Sequence, residues 1–169
     1  MNAEKLRALQ APLKNSYKQN PDGAVITLKA EGRIGENLSC KVETGKAVIE
    51  AGLHPATGGT GLQACSGDML LEALVACAGV TLNTVATAIE VELEDAKLIA
   101  EGELDFKGTL GVSKEVPVGF KKITLHYELK TNADEEAIAA LLKLTERYCV
   151  VYQTLKGGVE LSILHTVIK

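Results

Sequence analysis

Residues 70–89 read LLEALVACAGVTLNTVATAI, and this run constrains the fold more than any other stretch of the chain. Leu, Val, Ile and Ala recur on nearly every face of a 3.6-residue period. That predicts a helix from residue 65 to about residue 91, buried all round. Ser66 is the candidate N-cap, and Asp68 falls in the first turn, where its charge suits the helix dipole. A chain of 169 residues has limited material to wrap such a helix, so a partner subunit is expected to cover part of it. The most apolar segment, 69–82, is interrupted by Glu72 and holds about 14 residues, short of the roughly 20 that a membrane span needs. No membrane association is expected. In the middle of the run sits Cys77, either a small core residue or a reactive thiol.

The flanking sequence sets the fold class. Residues 3–18 read as a short polar helix ending near Pro21, so 1–22 form a peripheral helix and linker within one domain, 1–169. AVITLKAEGRI and LSCKVETGKAVIEAG alternate apolar and polar residues, with breaks at Gly35, Gly45 and Gly52; they read as strands. HPATGGTGLQ is a loop. DAKLIAEGELDF and FKKITLHYELKT are two further strands joined by a glycine-containing loop. A second helix starts near Asn132, with Glu135 completing a capping-box-like start. Cys149 sits at or just past its end, and VELSILHTVI reads as a final strand. Strands, helix, strands, helix, strand is an α+β order. Aromatics make up 4% of the chain, so the core is aliphatic.

Several chemistries are excluded. Net charge is -4 with pI about 5.5, which gives no footprint for nucleic acid or an anionic membrane. The three histidines, His54, His126 and His165, are far from one another and from every cysteine; zinc sites carry close ligand pairs, so no metal or other cofactor is expected. The glycines of 58–61 precede a helix but do not form a phosphate-loop or dinucleotide pattern, and there is no GxSxG. The N-terminus has no apolar signal region, and the expected location is cytoplasmic. There thiols stay reduced, and a cysteine pair is more often catalytic or redox-active than structural.

Four cysteines occur, at 40, 65, 77 and 149. A free cysteine is most often a buried small hydrophobe. Cys65 and Cys77 are twelve residues apart on one helix, about 18 Å at 1.5 Å per residue, beyond the roughly 7 Å reach of a disulfide. Cys77 and Cys149 belong to different helices, whose packing can bring them together. Cys40 lies in a strand.

GDMLLEALVACAGVTL resembles the central helix of the OsmC/Ohr family, the osmotically induced and organic-hydroperoxide-resistance proteins. ERYCVVYQTL resembles that family's second cysteine segment, and AEGRIGE its glycine-flanked arginine. The likeness runs from about residue 24 to 167, in order. It implies antiparallel sheets around a long buried central helix, in an intertwined homodimer. It also implies a peroxidase in which a thiolate attacks a hydroperoxide and becomes a sulfenic acid. A second cysteine then closes a disulfide, which a dithiol of lipoyl type reduces. By resemblance the residues are Cys77, Cys149 and Arg33. Burial raises a thiol's pKa, and Arg33, always charged, is the candidate to offset this. The apolar lining from Leu70, Leu74 and Val80 is expected to favour organic hydroperoxides over hydrogen peroxide.

The sequence departs from the organic-hydroperoxide branch in two places, and in these it is closer to the general OsmC-like branch. Where that branch has a Glu to hold the arginine, Gly67 stands here with Asp68 beside it. Val150 replaces the proline that often follows the second cysteine. Asp68 and Glu72 are the candidate supporting acids, though both point away from Cys77 on an ideal helix. The alternative reading is a non-catalytic OsmC-like dimer that binds a small molecule or serves in stress, with an inactive thiol.

Overall fold

The computed structural model describes the backbone of residues 1–27, 30–34, 40–43 and 48–168, and the side chains of these except 31–34 and 40–43. The order is mixed α+β. Helix α1, Ala3–Gln19, is followed by strands β1 (Glu31–Ile34), β2 (Cys40–Glu43), β3 (Val48–Gly52) and β4 (Ala64–Cys65). Then come α2 (Ser66–Ala88), β5 (Asp95–Glu103), the one-turn α3 (Phe106–Thr109), β6 (Lys122–Lys130), α4 (Glu135–Tyr148) and α5 (Val150–Gly157). The first four strands form one sheet in sequence order, antiparallel except for the short parallel pairing of β4 on β3. β5 and β6 form a separate antiparallel pair.

The second sheet shows why its sequence alternates. Leu98 faces Tyr127, Ala100 faces Leu125 and Gly102 faces Ile123 across the pair. These residues lie on one face, and Leu98, Ala100, Ile123, Leu125 and Tyr127 pack towards α2 and Cys149. A first core cluster joins Leu82, Val85 and Ala86 of α2 to Leu141 of α4; a second joins Leu74 and Ala78 to Cys149.

α2 is not buried all round. Leu74, Ala78, Leu82, Val85 and Ala86 form its buried face, while Leu70, Ala73, Ala76 and Val80 are exposed. This chain supplies β5, α4 and α5, with smaller contacts from α1 and β4, against the helix, and an apolar surface needs another element against it to be removed from water. By length and composition the 23-residue helix is also apolar enough to cross a membrane. α2 ends in a Schellman motif: Val91 N–H donates to the Ala86 carbonyl at 2.9 Å, and Glu90 takes the left-handed φ of 61° usually left to glycine.

Three further sequence expectations change. Residues 159–168 form no strand, because among the described residues no strand pairs with them, and an isolated extended segment has no ladder to hold it. Leu161, Ile163, Leu164 and Ile168 stand exposed there. Within 24–34 only Glu31–Ile34 is strand; the expected breaks at Gly35 and Gly45 lie outside the described residues. Finally, both helix caps shift. Cys65, not Ser66, occupies the N-cap of α2. Asp134, not Asn132, caps α4, its carboxylate accepting from Ala137 N–H at 2.8 Å. Asp134→Ala is expected to cost about 1 kcal/mol, read as a lower denaturant midpoint.

Gly67 lies in the first turn of α2, and a Cβ there would meet Phe120, Cys65 and Leu104 at 3.5–3.7 Å, ordinary contact. Alanine fits without strain and reduces the freedom of the unfolded chain. Gly67→Ala is therefore expected to stabilise by about 0.5 kcal/mol, read as a higher melting temperature.

Candidate active site

The helix break at residue 149 builds the site. Cys149 has extended backbone angles, φ -74° and ψ 107°, and is at once the C-cap of α4 and the N-cap of α5. No proline imposes the break. The first amides of α5 lack partners within their own helix, and they act on two sulfurs. Val151 and Val150 N–H reach the Cys77 thiol, and Tyr152 and Val151 N–H reach the Cys149 thiol. Cys77, half-buried on α2, packs against Cys149, which is fully buried. The two thiols pack together, and both are free.

The pair is asymmetric. Burial pushes the Cys77 thiol up, but hydrogen bonds from Val151 N–H, the Cys149 thiol, Val150 N–H and the Thr81 hydroxyl outweigh it, so its pKa falls below that of a free thiol. Such bonds stabilise the anion. The Thr81 hydroxyl lies one turn on and donates to the Cys77 carbonyl at 2.8 Å. Cys149 moves the other way: burial raises it, and the neighbouring Cys77 adds to the rise despite the Tyr152 amide. Tyr127 beside them is pushed up to about 12, first by burial and then by Cys149, Tyr152 and Glu146. It remains a protonated phenol where Cys77 titrates.

The sign of the pH dependence follows. Of the pair, Cys77 is the first to ionise, so its alkylation by iodoacetamide is expected to have a midpoint below that of a model thiol. Cys149→Ala removes one donor and is expected to move that midpoint up. An unmoved midpoint would contradict the influence of Cys149 on Cys77. For stability, the lowered Cys77 contributes above its unfolded pKa and loses that contribution as pH falls through its folded value. The raised Cys149 contributes below its unfolded pKa and loses it as pH rises through its folded value.

The other expected residues sit elsewhere or outside view. Arg33 lies in β1, opposite Lys41 of β2; its side chain is outside the described residues, as is that of Cys40. Asp68 is exposed and lines a cavity with His54, Cys65 and Phe106. Glu72 is exposed beside Leu71, Val75, Ala76 and Ala100. Neither acid bonds to a described residue. His54 is structural. Its Nδ1 accepts from Ala56 N–H at 3.0 Å, and its ring stacks on Phe106. Residue pattern alone does not point to the α5 amides, Thr81 or Tyr127. The one available signal is the position of Thr81, four residues after Cys77 and so one helical turn on.

The profile of the OsmC-like protein family matches residues 59–163, a span holding both α2 and the Cys149 segment. The chain belongs to the OsmC-like family. Solved structures share the fold of this OsmC-like chain. An OsmC-like protein from Mycoplasma pneumoniae superposes with a TM-score of 0.67 at 19% identity, covering 79% of this chain and 89% of that one. An organic hydroperoxide resistance protein OsmC from Legionella pneumophila gives 0.62 at 22%, covering 81% and 94%. An organic hydroperoxide resistance protein from Elizabethkingia anophelis gives 0.63 at 18%, covering 81% and 93%. Among curated proteins, none matches.

Proposed function

We propose that this OsmC-like protein is a thiol peroxidase that reduces organic hydroperoxides. The observation that carries this reading is the thiol pair: a partly accessible Cys77, its pKa lowered, packed against a buried Cys149, its pKa raised. The Cys77 thiolate attacks the terminal oxygen of ROOH and the O–O bond breaks. The alkoxide leaves as ROH after taking a proton, and Cys77 becomes a sulfenic acid. The Cys149 sulfur then attacks that sulfenic sulfur, water leaves, and a disulfide forms. A dithiol of lipoyl type returns both thiols by exchange. Hydroperoxide resistance in family relatives supports the substrate class.

The asymmetry assigns the order. The ionised thiol is the nucleophile. While Cys77 is an anion it disfavours a second charge on Cys149; oxidation to a neutral sulfenic acid removes that repulsion, and Cys149 then has the Tyr152 and Val151 amides to support its own thiolate. Arg33 is proposed to complete the site by donating to the peroxide oxygens, with Asp68 or Glu72 steadying it.

The working form is proposed to be a homodimer. Exposed Leu70 and Val80 on α2, together with the exposed apolar side chains of 159–168, leave a larger apolar surface than a monomer ordinarily presents. Sedimentation is expected to give twice the 17.9 kDa chain mass; a monomer would contradict this.

The test of activity is turnover of cumene hydroperoxide with dihydrolipoamide as reductant. The expected result is one cumyl alcohol per dithiol consumed, with slower turnover of hydrogen peroxide. No alcohol above the protein-free rate would overturn the reading, and equal rates with both peroxides would remove the preference for organic substrates.

A further inference from the structure

A cavity of about 570 Å³ opens between α1, α2 and α4, with Val80, Thr81, Val85, Ile89 and Leu144 in its wall. Thr81 is half-buried there. It follows Cys77 by four residues and so shares its side of α2. Its hydroxyl donates to the Cys77 carbonyl at 2.8 Å, and it is one of the groups that bring the Cys77 pKa down. A hydroxyl has one proton and two lone pairs. The proton serves Cys77, at its carbonyl or at its sulfur. The lone pairs are left over, and among the described residues no group donates to them.

The surroundings of Cys77 are rich in donors. Val150 and Val151 offer N–H groups, and an arginine such as Arg33 has donors alone. An alkyl hydroperoxide brings an O–H of its own, which needs an acceptor. In-line displacement sets the attacking sulfur and the two peroxide oxygens in a row. The O–H on the attacked oxygen then points sideways, away from the sulfur. In a half-buried site, an O–H with no acceptor carries the full cost of the water it has lost.

We infer that Thr81 contacts the substrate: its hydroxyl oxygen accepts a hydrogen bond from the hydroperoxide O–H and holds the terminal oxygen in line with the Cys77 sulfur. This rests on the peroxidase reading and supplies the acceptor that the reaction otherwise lacks. Thr81 moves no proton in the step. The thiolate's electron pair forms the S–O bond and the O–O bond breaks. The peroxide proton stays on the sulfenic acid, and the departing alkoxide takes a proton from water. Cys77 is oxidised and the peroxide is reduced. A second role of Thr81, on the thiolate itself, acts on every reagent alike, whereas the contact with O–H acts on hydroperoxides alone.

The test compares two reagents on the full reduced chain, each followed at Cys77 by peptide mapping. One is cumene hydroperoxide; the other is methyl methanethiosulfonate, which attacks thiolates and has no hydrogen-bond donor. Both rates are taken on the plateau of the pH profile, where Cys77 is fully ionised in every variant. Thr81→Val is expected to slow oxidation by the peroxide about tenfold, the worth of one hydrogen bond, and to leave the thiosulfonate rate within about twofold of the wild type. Thr81→Ser keeps the oxygen and is expected to restore the peroxide rate. Thr87→Val removes the like bond to the Asn83 carbonyl, 2.8 Å, away from the cavity, and is expected to keep both rates. If Thr81→Val fails to fold by circular dichroism, Thr81→Ala takes its place. Equal slowing of both reagents would confine Thr81 to the thiolate and overturn the inference. An unchanged peroxide rate, or no rescue by serine, would overturn it too. A wild-type chain whose Cys77 the peroxide does not oxidise overturns the peroxidase reading along with it; an active wild type with an unmoved Thr81→Val overturns this inference alone.

Discussion

Cys77→Ser is expected to lower turnover of cumene hydroperoxide by at least about a thousandfold, the scale on which loss of a covalent nucleophile is felt. A serine hydroxyl in the same place meets the same Val150 and Val151 amides but does not ionise near neutral pH. Cys149→Ser has a different signature. The first equivalent of peroxide is still consumed, because Cys77 keeps its two α5 amides. Turnover then stops, because no sulfur stands by to condense with the sulfenic acid. Mass spectrometry of that variant is expected to show Cys77 oxidised stepwise to sulfenic and sulfinic acids. Full activity in Cys77→Ser would remove the basis of the proposed mechanism.

The largest stability effect is expected at Leu141. Its side chain is fully buried and packs on Leu82, Val85 and Ala86, where α4 meets α2. Leu141→Ala deletes three carbons in a place with little room to collapse. The expected loss is about 3–4 kcal/mol, or about 10 °C in melting temperature for a chain of this size. Two turns later α4 ends at Cys149, so loosening this contact also loosens the placement of the second sulfur. Differential scanning calorimetry checks the first effect. A shift below about 1 kcal/mol would place Leu141 outside a packed core.

How much of this was legible in the sequence depended on the range of the interaction. The alternation of 95–103 and 122–130 gave the β5–β6 pair because a single buried face leaves a two-residue period. The apolar run gave α2, yet it could not say which face this chain covers, since periodicity reports that a face is apolar and not what lies against it. The same limit explains 159–168, which alternates like a strand but has no partner strand among the described residues. At the site, the family likeness brought Cys77 and Cys149 forward as a pair. The positive offset was sought in Arg33, because sequence reasoning looks for a charged side chain. The structure adds backbone amides of α5, which carry no residue-type signal. Only the one-residue break at Cys149 exposes them, and in VVYQ that break is not written by any proline or glycine.

The central claim is that Cys77 and Cys149 act as one redox unit. It is tested most directly by counting thiols before and after one equivalent of cumene hydroperoxide, with the bond located by non-reducing peptide mapping. The expected result is a fall from the four thiols of the sequence to two, with a single Cys77–Cys149 disulfide. Four thiols remaining, or a disulfide that joins either sulfur to Cys40 or Cys65, would contradict it.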